Sequence, residues 1–349
     1  MTGNMKGYAI EKDDSRRIVT VPIPKPGPYQ ALVKIEACGV CNGTDIKLAH
    51  QNFKNFSTYP ALLGHEAVGS IVELGEKVSS FRTGDRVTLP FGEDTAGYYS
   101  GWGGYSEYGL VGDIAAIQAD GLTPDSPYWS ESYFAQNLVP ASLTSAEATM
   151  IVTFREVLGG IKNFGMTPGK RIVIFGTGPV GLIFTKLLSL SGVEEITVLD
   201  LVPEKAQRAL QHGAKHAFCS AGQDAAALVR DIYPDGVDMV LDAVGVSAII
   251  NTAMSLIVPG GKICCYGISP NLQMNLDWSR APYNWGLQFE QWPSKIQEGE
   301  QHKQICGWIE SGQLVPSQYI SEEIPFEEID RAFDMIEQKK TDLKNVIVF

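Results

Sequence analysis

Cys38 and Cys41, in the stretch ACGVCNGTDIK, form a CxxC pair near the start of the chain. Such a pair is typical of a redox dithiol or of half of a structural zinc site. It is equally compatible with one cysteine belonging to a site that is completed elsewhere in the chain. The spacing by itself leaves these three interpretations open.

His65 and Glu66 are adjacent in the apolar stretch LGHEAVG, 24 residues after Cys41. A single histidine is usually structural, but this chain contains only five. Cysteine, histidine and glutamate supply the sulfur, nitrogen and oxygen donors that zinc accepts at a catalytic site, where three protein ligands leave one position open. A structural zinc site prefers four ligands, mostly thiolates, and no second CxxC exists, which argues against that interpretation.

Three glycines in RIVIFGTGPVGLIF, Gly176, Gly178 and Gly181, form GxGxxG between an expected buried strand and an expected helix. The glycines permit a tight turn and close approach of a pyrophosphate, which the helix N-terminus then binds. The motif alone is as typical of a packing turn as of a nucleotide-binding turn. However, the next strand ends in Asp200, whose carboxylate can accept bonds from ribose hydroxyls and repel a 2′-phosphate. We therefore expect NAD rather than NADP. Lys205 could reach the same ribose or could be a solvated lysine at a helix end.

The elements that must position these residues divide into two kinds. Residues 7–36 and 61–111 consist of short apolar runs broken by proline and glycine, which indicates a β-rich domain. From about residue 145 helices and strands alternate, which is typical of a parallel doubly wound sheet. After about residue 290 an amphipathic helix in FEEIDRAFDMIEQ precedes a closing strand, NVIVF. Residues 113–139 are irregular and aromatic, and we expect a loop near a cleft.

Composition limits the possible partners and the number of domains. With 28 basic and 40 acidic residues the net charge is -12, which opposes binding to nucleic acid or to an anionic membrane. A chain of 349 residues is expected to form about two domains. No apolar run reaches about 18 residues and the start lacks a signal-peptide profile, so we expect a cytoplasmic protein. The six cysteines are too sparse for a disulfide framework and are expected to be reduced.

Six motifs together resemble the zinc-dependent alcohol and polyol dehydrogenases of the medium-chain dehydrogenase/reductase superfamily. They follow the family's order along the chain: GVCNGTD, GHEAVG, VELGEKVSSFRTGDRV, GGYSEYGLV, GTGPVG and IPFEEIDRAFDMIEQ. The resemblance implies a GroES-like, β-rich catalytic domain made of residues 1–150 and 290–349. It also implies an inserted Rossmann domain of residues 151–289, with the active site in the cleft.

The resemblance also answers the opening question. It implies that Cys41, His65 and Glu66 are the ligands of a catalytic zinc, and that Asp45 orients the histidine; an N-cap role for Asp45 is compatible with this. Cys38 is then a buried small hydrophobe. A redox CxxC is disfavoured because it lacks a βαβ context and leaves GHE unexplained.

In the mechanism that the resemblance implies, zinc acts as a Lewis acid on the substrate hydroxyl and hydride passes to nicotinamide. Thr44 matches the residue that relays the proton. Lys47 replaces a histidine of many relatives, and we expect it to end the relay or bind a substrate oxygen, although a plain surface lysine is the alternative. One extra residue between Cys41 and Asp45 has to be absorbed by Gly43 for this assignment to hold.

Two further departures from the family pattern affect the metal sites. The stretch TLPFGEDTAGYYSGW replaces a lobe that often carries four cysteines, so we expect one catalytic zinc per chain and no structural zinc. Val152 stands where relatives have a cysteine, aspartate or glutamate near the metal. Glu156 lies one helical turn further along and could reach the site instead; a surface or N-cap role is the alternative.

The predicted function is hydride transfer between NAD and a secondary alcohol, which we expect to be a polyol, sugar or amino-alcohol. The aromatic residues expected near the cleft are Tyr98, Tyr99, Trp102, Tyr128 and Trp129. The expected cofactor contacts are Gly176, Gly178, Pro179, Val180, Gly181, Asp200, Lys205, Val244, Gly245 and Gly267. The alternatives are a zinc-free quinone or enone reductase of the same superfamily and a non-catalytic nucleotide-binding protein. The resemblance further implies a homodimer or homotetramer.

Overall fold

The computed structural model describes residues 3–267 and 273–349. The chain divides into two compact units, residues 1–155 with 294–349 and residues 156–293. The strands and helices in chain order are β1 (Asn4–Ile10), β2 (Arg16–Pro22), β3 (Gln30–Gly39), α1 (Thr44–Ala49), β4 (Ala61–Leu62), β5 (Glu66–Leu74), β6 (Arg86–Thr88), β7 (Tyr99–Ser100), β8 (Tyr108–Gly112), α2 (Ile114–Ala119), α3 (Ser145–Phe164), β9 (Arg171–Phe175), α4 (Pro179–Leu190), β10 (Glu195–Asp200), α5 (Pro203–Gln211), β11 (His216–Cys219), α6 (Ala225–Ile232), β12 (Val237–Asp242), α7 (Ser247–Met254), β13 (Ile257–Cys265), β14 (Gly286–Phe289), α8 (Lys295–Glu310), β15 (Ile320–Pro325), α9 (Ile329–Glu337) and β16 (Lys344–Val348).

The first unit is β-rich and is built from both ends of the chain. One sheet has the order β15-β16-β3-β5-β6, with β8 also paired to β3, and a second has the order β2-β1-β4-β7. The long strand β3 lies between β16 and β5, and its Gly39 is opposite Glu66 on one side and Val346 on the other. This register brings the C-terminal strand close to the start of β5, where His65 and Glu66 lie.

An apolar core fixes that part of the first unit. Tyr8, Tyr105 and Phe333 meet there in edge or tilted ring contacts. Cys38 is fully buried in the same cluster, and burial raises the pKa of its thiol well above the ordinary value. The prediction that Cys38 is a small buried hydrophobe is therefore confirmed.

The second unit contains one parallel sheet with the order β11-β10-β9-β12-β13-β14. The chain runs outward from β9 through β10 and β11, and then returns to the other side of β9 for β12, β13 and β14. Ligands bind at the carboxyl ends of strands beside such a reversal. The predicted parallel doubly wound sheet is confirmed.

Short helices account for most of the differences from the predicted pattern. Residues 113–139 are not simply a loop, because they contain α2 and a 3₁₀ helix, Glu131–Ala135. The buried carboxylate of Asp113 caps α2 by accepting a bond from the N–H of Ala116. Elements of this length carry too few periodic positions to be recognised from apolar spacing.

Among the helices of residues 3–267 and 273–349, none has an apolar stretch long enough to span a membrane.

Candidate metal centre and cofactor site

Cys41, His65 and Glu66 come together in the first unit. Their ligand atoms lie within 4.8 Å of one another, and the Nε2 atom of His65 is 4.0 Å from Oε1 of Glu66. Cys41 follows strand β3, and the other two residues lie at the start of its partner β5. The antiparallel pairing of these strands thus joins the donors, whose sulfur, nitrogen and oxygen atoms suit zinc.

Asp45 contacts His65 at Nδ1, whereas Glu66 is near its other ring nitrogen, Nε2. The fully buried carboxylate of Asp45 contacts Nδ1 of His65 at 3.1 Å, and accepts bonds from the Cys41 N–H at 2.9 Å and the Tyr105 hydroxyl at 2.6 Å. Burial alone would raise the pKa of Asp45, but the charge of His65 and these hydrogen bonds lower it. Nδ1 is therefore directed to the carboxylate, and Nε2 is left for a metal ion.

The stretch between Cys41 and Asp45 forms the turn that enters α1. Gly43 has right-handed helical torsion angles and is the N-cap of α1, while the Asp45 N–H already donates to the Cys41 carbonyl at 3.0 Å. Asp45 is therefore not the N-cap, which corrects that alternative. Thr44 is buried on the first turn, and Lys47 is half-buried one turn later. Burial lowers the pKa of Lys47, against the opposing effect of the Cys41 charge.

Lys344 is a partner of Glu66 that the sequence did not reveal. Its ammonium lies 2.6 Å and 2.5 Å from the two carboxylate oxygens of Glu66, and both side chains are at least 95% buried. The hydroxyl of Thr153 also donates to Oε1 of Glu66, at 3.4 Å. The available signal was a lysine at the start of the mostly apolar strand KNVIV.

Trp102 lies beside the histidine donor. Its ring centroid is 5.3 Å from that of His65 and 6.3 Å from that of Phe53. The backbone of Trp102 has a φ of 68°, an outlier for a bulky residue, and its carbonyl accepts a bond from the Gly92 N–H at 2.7 Å. Strained conformations of this kind cluster at ligand sites and are maintained by surrounding contacts.

The other aromatic residues expected near the cleft make contacts elsewhere. Tyr98 hydrogen-bonds to Glu11, whereas Tyr128 packs on Tyr29 and Trp129 packs on Phe134. Tyr99 belongs to the short strand β7 and is 42% exposed. Of the five expected aromatic residues, Trp102 is the one whose described ring contacts include a candidate metal ligand.

Val152 and Glu156, the two positions of the departure from the family pattern near the metal, both lie on helix α3. Val152 is buried against Leu89 and Ala135, and is part of the apolar core. Glu156 is half-buried and belongs to the second unit. Its role near the metal stays a prediction.

The glycine motif in the second unit forms a tight turn between β9 and α4. Gly176 follows β9 with a φ of 97°, and Gly178 is the N-cap of α4, with Pro179 as the first helical residue. A Cβ atom on Gly178 would meet nothing within 4 Å, whereas one on Gly181 would lie 2.0 Å from the Gly176 carbonyl oxygen. The motif thus combines an open surface at the helix N-terminus with close packing one turn below it.

Asp200 ends strand β10, and its carboxylate accepts bonds from Thr177 and from the Val202 N–H. Lys205 is half-buried in the first turn of α5. Sequence analysis did not identify Thr177, because the middle positions of GxGxxG accept many residue types. Its side chain is fully buried.

Asp242 is a second residue that sequence analysis missed. Its buried carboxylate at the end of β12 accepts bonds from the N–H groups of Val244, Gly245 and Val246. Burial raises the pKa of Asp242, and these bonds oppose the rise. The Asp242 carbonyl also accepts the N–H of Gly267 at 2.9 Å, so one residue organises three of the predicted cofactor contacts.

Two family models match this chain. Residues 27–120 match the alcohol dehydrogenase GroES-like domain, and residues 179–284 match the zinc-binding dehydrogenase domain. These matches confirm the predicted combination of a GroES-like and a Rossmann-type domain.

Curated relatives and solved structures agree with these matches. Sorbitol dehydrogenase of Bacillus subtilis (strain 168) is 29% identical over 279 residues, covering 78% of each chain. D-arabinitol dehydrogenase 1 of Uromyces fabae is 26% identical, covering 80% of this chain and 79% of that protein. The fold is shared with an alcohol dehydrogenase of Escherichia coli CFT073 in complex with NADH, with a TM-score of 0.79, 21% identity and 99% of both chains covered. The chain belongs to the zinc-type alcohol and polyol dehydrogenases of the medium-chain dehydrogenase/reductase superfamily.

Proposed function

We propose that this protein is an NAD-dependent, zinc-requiring dehydrogenase that interconverts a polyhydroxylated secondary alcohol and its carbonyl compound. The observation that carries the proposal is the cluster of Cys41, His65 and Glu66, with Asp45 bonded to the histidine. A zinc-free enone reductase would have no use for this donor set. A purely regulatory nucleotide-binding protein would need neither the donors nor the buried carboxylate behind them.

The three donors would hold one zinc ion per chain, which supplies the Lewis acidity that lowers the pKa of a substrate hydroxyl. Asp45 presents Nε2 of His65 to the metal side and keeps the ring from turning. Lys344 balances the charge of Glu66. Glu66 would then offset less of the positive charge with which a bound zinc ion would polarise a substrate oxygen.

Thr44 and Lys47 are proposed to handle the proton. They are three residues apart on α1 and therefore share a face of that helix. Thr44 would accept the substrate proton and pass it on. Lys47, half-buried with a lowered pKa, would end this relay or bind a second substrate oxygen. Glu156 is retained as a proposed residue near the metal.

NAD is the proposed cofactor because Asp200 places a carboxylate at the end of β10, where it would repel the 2′-phosphate of NADP. The pyrophosphate would lie against Gly178 at the N-terminus of α4, with Pro179, Val180 and Gly181 in its first turn. Lys205 would reach the adenosine ribose. Val244, Gly245 and Gly267 would form the rest of the cofactor surface.

A polyol, sugar or amino-alcohol is the proposed substrate. Two of the relatives are named for sorbitol and D-arabinitol, and the indole of Trp102 beside His65 supplies an apolar face on which the C–H groups of such a substrate could pack. Polar groups such as Lys47 would bind its additional hydroxyls. The proposed partners are small molecules, with neither nucleic acid nor membrane, and the proposed location is the cytoplasm.

The protein is proposed to form homodimers or homotetramers through the second unit. Strand β14 is at the edge of its sheet, and large exposed apolar side chains occur around it. They are Trp278, which is 71% exposed, Tyr283, Phe289 and Trp292. An unpaired strand edge with apolar neighbours is suited to pairing with a second copy.

The test is NADH formation by zinc-loaded protein with sugar alcohols, sugars, amino-alcohols and simple alcohols. Metal analysis accompanies it, with Cys41→Ser as the zinc-deficient control. We expect about one zinc per chain and turnover of a polyhydroxylated substrate, both lost in the control. Enone reduction that is equal with and without zinc would overturn the proposal.

A further inference from the structure

The carboxylate of Asp200 is held in place at both oxygens by protein groups. Its Oδ2 atom accepts bonds from the N–H of Thr177 at 2.8 Å and from the Thr177 hydroxyl at 2.6 Å. Its Oδ1 atom accepts a bond from the N–H of Val202 at 2.9 Å. Thr177 is the second residue of the GxGxxG motif and is fully buried, so its own contacts are made inside the protein.

These bonds leave the carboxylate one principal direction for a ligand. A carboxylate accepts about four hydrogen bonds, two at each oxygen. Both positions on Oδ2 are used by Thr177, and one on Oδ1 is used by Val202. The remaining acceptor position is on Oδ1, where one ribose hydroxyl could donate.

The same bonds keep the carboxylate from rotating. Turning it about its last side-chain bond would break the two contacts of Oδ2 and the contact of Oδ1 together. A carboxylate that cannot rotate cannot move its charge away from a 2′-phosphate. Hydrogen bonds to a charged acceptor are among the strongest in proteins, so the hydroxyl of Thr177 contributes substantially to this restraint.

We propose that Thr177 is a positioning residue for cofactor selection, which acts through Asp200 to favour NAD over NADP. It does not touch the cofactor. The inference rests on the proposed preference for NAD and adds the residue that makes the preference strict. It predicts that a change at a fully buried position alters the discrimination between two ligands that differ by one phosphate.

The test is isothermal titration of the zinc-loaded protein with NADH and with NADPH, in the wild type and in Thr177→Val. Valine has nearly the shape of threonine but lacks the hydroxyl. We expect the ratio of the NADPH to the NADH dissociation constant to fall about tenfold in Thr177→Val. In Thr177→Ser, which keeps the hydroxyl, it should stay within about twofold of the wild type. Thr177→Ala is the second variant if valine disturbs folding.

Asp200→Ala provides the test that separates positioning from packing. If Thr177 acts through the carboxylate, Thr177→Val should not change the ratio further in the Asp200→Ala background. The inference would be overturned if the ratio of dissociation constants stayed unchanged in both Thr177→Val and Thr177→Ala. It would also be overturned if Thr177→Val changed the ratio as much in the Asp200→Ala background as in the wild type. The wild-type ratio tests the proposed function separately, because equal binding of NADH and NADPH by the wild type would reject the NAD preference itself.

Discussion

Lys344 and Glu66 are 278 positions apart in the sequence and form a buried ion pair in which the ammonium contacts both carboxylate oxygens. Strand β16 pairs with one side of β3 and strand β5 with the other, and this arrangement brings Lys344 and Glu66 together. The contact thus joins the C-terminal strand directly to a candidate metal ligand.

Replacement of Lys344 should strongly destabilise the metal-free protein. In Lys344→Met, Glu66 would remain buried without its counter-charge, and we expect a loss of about 3–5 kcal/mol in the free energy of unfolding. Urea denaturation of the metal-free protein measures this. Glu66→Gln/Lys344→Met, which removes both charges, should be less destabilised than the sum of its single variants. A loss under about 1 kcal/mol in Lys344→Met would show that the pair is not buried in solution.

Removing the charge of Asp45 should weaken zinc binding. Asp45→Asn keeps the shape of the side chain but loses the charged acceptor for Nδ1 of His65, and we expect zinc affinity to fall about 10–100-fold. Competition with a chelating dye measures this affinity. Tyr105→Phe, which removes one donor to Asp45 but leaves its bond to His65, should have a smaller effect. Equal zinc affinity of Asp45→Asn and the wild type would contradict the positioning role.

Two glycine-to-alanine changes should separate cofactor binding from folding. Gly178→Ala places a methyl group in open space at the N-terminus of α4, so it should weaken NADH binding and leave thermal stability unchanged. Gly181→Ala would clash with the Gly176 carbonyl and should lower the melting temperature. Titration with NADH and thermal denaturation distinguish the two. Normal NADH binding by Gly178→Ala would place the pyrophosphate elsewhere.

Trp102 should affect substrate binding more than zinc binding. Trp102→Leu removes the indole beside His65, and we expect the KM for a polyhydroxylated substrate to rise about tenfold while zinc content is unchanged. Trp129→Leu is the matched control, because its indole packs on Phe134. An equal rise of KM in both variants would indicate a general loss of packing.

Acidification should destabilise the first unit through His302. Burial, and then the charge of Arg155, lower the pKa of His302 to about 4. In an unfolded chain it is about 6.5, so below that pH the unfolded state binds more protons, and stability falls as the pH drops toward 4. We expect this residue to cost about 2 kcal/mol between pH 7 and pH 5.

His302→Gln keeps a donor for the Leu138 carbonyl but does not titrate. Urea denaturation at pH 7 and pH 5 should therefore show a smaller pH-dependent loss in His302→Gln than in the wild type. Equal losses in the two proteins would mean that His302 titrates normally in the folded state.

Local signals in the sequence were sufficient for the nucleotide-binding part. The strand RIVIF, the glycine turn and helix α4 are consecutive, and Asp200 ends the next strand. Residues close together in the sequence therefore specify this strand–helix–strand segment. The amphipathic helix and the closing apolar strand near the C-terminus were predicted for the same reason. Short elements such as α6, α7 and β11 have a weaker local signal, because few residues carry their pattern.

The sequence by itself determined the two kinds of domain, the glycine turn and, through family motifs, the set of Cys41, His65 and Glu66. Only the tertiary structure decided what surrounds these donors: Lys344 on Glu66, Tyr105 on Asp45 and Trp102 on His65. The physical reason is the pairing of distant strands. A helix or a glycine turn forms among neighbours, whereas the register of β3 with β5 and β16 is set by burial of whole sheet faces and has no local signature.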